Sequence, residues 1–72
     1  MLYSLCRAAK IMLFIQNWFN LEVAEEIYGQ SLGNHLYQKW MNSENNVTNF
    51  LTQLDENNKQ LLLDWGAKAS AL

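Results

Sequence analysis

Few residues in this chain could do chemistry. Cys6 is its one thiol and His35 its one imidazole, so a cysteine nucleophile and its base would have to be built from this pair. Such a site needs the base within hydrogen-bond reach of the sulfur and a third group to orient it. By helical spacing Cys6 falls with Leu2, Leu5, Ala9 and Met12, where a free cysteine behaves as a small buried hydrophobe. We expect no catalysis from it, and we read His35 as a hydrogen-bonded, partly exposed residue.

Glu22, Glu25 and Glu26 gather three carboxylates. A di-iron bundle would require Glu-x-x-His motifs, and no histidine stands three residues after any glutamate here. The first turn of a helix, where backbone N–H groups carry partial positive charge, explains the acidic cluster without a metal. Asn46-Val47-Thr48 matches the acceptor pattern for N-glycosylation. Asparagine is abundant and no secretion signal precedes the triplet, so we attribute it to chance. There is no phosphate loop, nucleotide fingerprint or serine elbow. A chain of 72 residues also has little room for a substrate pocket of several hundred Å³ beside a core. The expectation is a protein with no catalytic activity, no metal and no cofactor.

Composition narrows the partners. Lys and Arg stand at positions 7, 10, 39, 59 and 68, and the net charge is −2. Nucleic-acid affinity grows with the number of phosphates neutralised, so five dispersed cations make a poor binding face. One cysteine permits no intrachain disulfide and fits a reducing, cytoplasmic setting. The uninterrupted run Ile11–Ile15 is five residues, shorter than a signal sequence needs and far short of a membrane span. Half of the residues are hydrophobic and 17% are charged, against about 25% charged in a typical domain. A domain this small buries only about 60% of its unfolded surface. Some of that apolar surplus should face another chain, most economically a second copy.

The elements that must carry these residues are helical. There is no proline and glycine appears only at 29, 33 and 66, which leaves hairpin-rich β-structure without its turns. Apolar residues recur at helical rather than alternating spacing. We expect an all-α single domain over residues 1–72, a small bundle of three to four helices at about 3–19, 21–42, 46–54 and 56–69. In the first, Tyr3, Arg7, Lys10 and Asn17 make a polar stripe, and the wholly apolar turn 11–15 predicts burial on more than one side. Asn20 and Asp55 look like N-caps, MNSENN at 41–46 like a turn, and Gly66 like a C-terminal stop.

IYGQSLGNHLYQKW (27–40) offers a choice between one packed helix and the turn and reader of a DNA-binding helix-turn-helix. Ala24, Tyr28, Leu32, Leu36 and Trp40 keep strict four-residue spacing through the glycines. With Gly29 in a turn, His35 and Gln38 would occupy positions that should bury apolar anchors, and Glu22, Glu25 and Glu26 would meet phosphates. We therefore expect a continuous helix, with Gly29 and Gly33 each relieving a crowded contact or lying exposed, or else together forming a helix–helix docking face.

The functional expectation is a small intracellular protein–protein interaction module: an adaptor, inhibitor or regulatory subunit, homodimeric, of the kind phage and plasmids encode. Its contact surface is expected among Ile11, Phe14, Ile15, Trp18, Phe19, Tyr28, Tyr37 and Trp40, since Trp and Tyr are favoured anchors of binding hot spots. The alternative is a helix-turn-helix-like regulator using residues 22–40, with Lys39, Gln30, Asn34 and Gln38 toward nucleic acid. A purely structural oligomer comes third.

Overall fold

The computed structural model describes residues 2–71, with side chains described for 9–71. The side chains of Leu2, Tyr3, Leu5, Cys6 and Arg7, assigned above to faces of the first helix, lie outside the described residues. The described chain is all-α: α1 (Leu2–Trp18), α2 (Leu21–Tyr28), α3 (Gln30–Asn42), α4 (Val47–Thr52) and α5 (Glu56–Ser70). Three helices open on side-chain caps. Asn20 Oδ1 accepts from the Val23 N–H at 2.9 Å, Asn46 Oδ1 from Asn49 at 3.0 Å and Asp55 Oδ1 from Asn58 at 2.8 Å, each satisfying an otherwise orphaned donor of a first turn.

The expected continuous helix 21–42 is corrected by the backbone at Gly29. Its φ of 89° and ψ of 166° lie in a region open essentially to glycine alone, so the α-helical path ends at Tyr28 and restarts at Gln30. The Gly29 N–H still closes α2 on the Glu25 carbonyl at 2.8 Å, while the Gly29 carbonyl accepts from Gly33 at 2.8 Å and opens α3. One residue serves both helices. In a straight helix residues 24 and 33 would stand about 13 Å apart. Here a Cβ added to Gly33 would lie 2.6 Å from the Ala24 carbonyl oxygen and 2.7 Å from Glu25 Cα. The two helix backbones touch at Ala24 and Gly33, both buried.

The chain after α3 turns on Ser43, Glu44 and Asn45. The Ser43 hydroxyl, buried, donates to the Trp40 carbonyl at 2.7 Å. Glu44 and Asn45 are both left-handed, with φ of 60° and 59°. The third helix is shorter than expected, 47–52 rather than 46–54. Gly66 does not stop α5, which runs on to Ser70. It is instead a packing position, where an added Cβ would come 3.0–3.2 Å from the side chains of Ile11 and Ile15.

Every helix contributes to one core: Ile15 from α1, Ala24 from α2, Leu36 and Trp40 from α3, Val47 and Phe50 from α4, and Leu62 from α5, with Phe19 from the α1–α2 link. Its centre is aromatic. The ring of Phe19 lies 5.5 Å from Trp40 and 5.5 Å from Phe50, and Trp40 and Phe50 meet edge to face at 5.4 Å, an arrangement that gains beyond area burial alone. The apolar turn 11–15 is not covered all round by its own chain, since Leu13 is 59% exposed.

The two buried glycines predict opposite outcomes. Gly33→Ala drives a methyl into backbone that cannot yield and should cost about 1–3 kcal/mol. Gly66→Ala meets only isoleucine side chains, and the gain in helix propensity of about 1 kcal/mol should leave it within about 1 kcal/mol of wild type. Urea unfolding followed by circular dichroism distinguishes them, and equal losses would contradict the backbone crossing.

Candidate functional site

The helices sort the expected contact residues by depth. Ile15, Phe19 and Trp40 are buried in the core, so their surface is used inside the chain. Ile11 is half-buried against α5, and Tyr37 is half-buried with its ring 6.4 Å from Phe19. Trp18 lies on the outside, with Phe14 half-buried beside it. They stand one turn apart on α1, where residues i and i+4 are neighbours, and their rings stack at 6.0 Å between centroids.

A third ring joins them from α5. Trp65 lies 5.5 Å from Phe14, brought there because Gly66, the next residue, has no side chain to hold α5 away from Ile11 and Ile15. Leu61 precedes Trp65 by one turn on the same face of α5. The result is a ridge along the α1–α5 seam. Trp18 is 61% exposed and Leu61 40%, and Phe14 and Trp65 are half-buried. Trp65 and Leu61 were missing from the sequence-based set. The i, i+4 spacing of Leu61 and Trp65 was visible, but the run Leu61–Leu63 left the outward side of α5 undefined.

Spacing puts Leu61, Asp64, Trp65 and Lys68 at i, i+3, i+4 and i+7, one helical face. Asp64 and Lys68 are exposed, and Asp64 Oδ1 accepts from Gln60 Nε2 at 2.9 Å. The ion pair found among the described residues is Lys59–Glu56 at 3.0 Å. Asp64 and Lys68 thus both face solvent, as does Lys10, one turn before Phe14 on α1.

Two other surfaces carry polar groups. On α3, Gln30, Ser31, Asn34, His35 and Gln38 are exposed and no acidic residue occurs, while Glu22 and Glu26 are exposed on α2. His35 points to solvent, and the side chain of Cys6 lies outside the described residues. A groove of about 440 Å³ runs between α1 and the α3–α4 turn, with Met12, Leu13 and Gln16 on one wall and Glu44, Asn45 and Thr48 on the other. Nothing in this lining pairs a nucleophile with a base. Among the described residues no three His, Cys, Asp or Glu side chains are grouped to hold a metal ion, and no helix is long and apolar enough to cross a membrane.

The fold and its surface define a small all-α bundle with an aromatic ridge. Comparisons with protein-family models, with curated proteins and with solved structures found no match to this chain.

Tyr28 has a structural position. Its hydroxyl donates to the Asn58 carbonyl at 2.7 Å, tying α2 to α5. Burial, with Asp55 nearby, pushes its phenol from 10.0 up to about 12. The folded state therefore favours the neutral phenol. That contribution is complete below pH 10 and is lost as pH rises toward 12. Tyr28→Phe should cost about 0.5–1.5 kcal/mol at pH 7 and flatten this alkaline loss. Urea titrations at pH 7, 9 and 11 check both, and a Tyr28→Phe profile as steep as wild type would refute the assignment.

Proposed function

We propose that this chain is a protein–protein interaction module, an adaptor, inhibitor or regulatory subunit, that works through the α1–α5 ridge. The observation that carries the reading is Trp18, 61% exposed and stacked on Phe14, in a chain that buries Trp40 almost completely. An indole held in water loses the burial that its large apolar surface would gain. Covering it with a partner recovers that term, and Trp is among the residues whose truncation costs binding most. Phe14, itself backed by Trp65, holds the indole from one side, so less side-chain entropy remains to be lost on contact.

The test compares proteins retained by the immobilised wild-type chain, Trp18→Ala and Met41→Ala, the last an exposed residue on α3. A partner of the ridge should bind wild type and Met41→Ala alike and lose about thirtyfold in affinity with Trp18→Ala, the equivalent of about 2 kcal/mol. Equal binding by Trp18→Ala and wild type would refute the reading.

The break at Gly29 favours a second reading, a helix-turn-helix-like regulator. It removes the continuous helix that argued against one, and α3 buries Leu36 and Trp40 while exposing His35 and Gln38. Asn and Gln side chains can read adenine edges, and Gln30, Asn34 and Gln38 share the exposed side of α3. Glu22 and Glu26 still oppose phosphates. This reading predicts binding to random duplex that falls steeply with salt and weakens with Lys39→Glu. Absence of binding at low salt, measured by co-sedimentation, would eliminate it.

A further inference from the structure

We infer that the occupant of the α1–α5 ridge is a second copy of this chain, docked about a two-fold axis that crosses α5 near Trp65. The inference rests on the ridge being a contact surface and names what covers it.

Charge is the first argument. A two-fold axis repeats one surface patch on both partners, so the patch must complement itself. The face of α5 that carries Leu61 and Trp65 also carries one anion, Asp64, and one cation, Lys68. Turned antiparallel about an axis near Trp65, two copies of α5 place Asp64 of each within side-chain reach of Lys68 of the other. Trp65 then lies between two symmetric ion pairs, with Leu61 one turn beyond them. Phe14 and Trp18 add apolar surface on the α1 side, where Asn17 is uncharged and Lys10, exposed one turn before Phe14, stands at the rim.

Exposure is the second. Trp18 is 61% and Leu61 40% exposed, so a copy seated on the ridge takes two large apolar side chains out of water.

Sedimentation velocity of the full chain, from about 1 to 100 µM at about 0.15 M salt, tests this. Wild type should sediment as a dimer at the upper concentrations. Leu61→Asp and Trp18→Ala, both at exposed positions, should raise the dissociation constant at least tenfold with unchanged helical circular dichroism. Asp64→Lys and Lys68→Asp should each weaken the dimer about tenfold alone, because each sets like charges together. Mixed one to one, these two variants should recover dimerisation, since the two lysines of one chain then face the two aspartates of the other.

A wild-type monomer at 100 µM overturns the inference, as does a dimer indifferent to Leu61→Asp and Trp18→Ala, or a mixture that does not recover. A monomer that still retains a Trp18-dependent protein overturns the second copy and leaves the interaction module standing. A monomer with no such partner overturns both.

Discussion

The contact on which the rest of this structure depends is between two stretches of backbone. Gly33 rests on the carbonyl of Ala24, and no side chain larger than a hydrogen atom fits between α2 and α3 there. This crossing fixes the direction of α3 once Gly29 has released it from the axis of α2. It swings Leu36 and Trp40 toward the end of α1, where Phe19 waits on a link capped by Asn20. The turn at Ser43–Asn45 then returns α4 to the same point, so that Phe50 closes the aromatic centre. A bundle of 72 residues with no disulfide depends on this kind of dense ring packing, because its core is too small to tolerate voids.

A second glycine sets the outer surface in the same manner. Gly66 lets α5 approach Ile11 and Ile15, and that approach carries Trp65 to Phe14. The three tryptophans thereby take three different positions. Trp40 is core, Trp65 straddles the seam, and Trp18 stands out from it. The two glycines thus divide the aromatic residues between interior and ridge, although neither glycine is aromatic or functional itself. The proposed contact surface is a consequence of packing, with its anchors on two rigid helices rather than on a loop, which is the arrangement that keeps a binding surface preorganised.

The balance between the two functional readings is electrostatic. The break at Gly29 makes the α2–α3 unit resemble a helix-turn-helix in connectivity, but connectivity alone carries no function. The exposed side of α3 is rich in amides and poor in cations, and α2 presents Glu22 and Glu26 beside it. The ridge asks for no phosphate and no cofactor, only for apolar surface rimmed by Asp64, Lys68 and Lys10. That is why the interaction module stands first and the nucleic-acid reader second.

Local pattern determined much of this protein. Helical spacing, the absence of proline and the caps at Asn20 and Asp55 were enough for an all-α bundle, and for helix ends within a few residues in α1 and α5. These features act over one or two turns, where a residue's neighbours are set by the chain itself. The path at residue 29 was not legible, because Gly29 can adopt helical or positive φ with little difference in cost. The choice falls to the contact of Gly33 with Ala24, nine positions earlier in sequence. The fate of the apolar residues of α1 was equally out of reach. Ile15 and Trp18 read alike as parts of an apolar helix, yet one is fully buried and the other largely exposed. Sequence determined that these side chains are hydrophobic and share a helix; tertiary structure decided which of them α5 covers, because burial depends on a neighbour that local spacing does not specify.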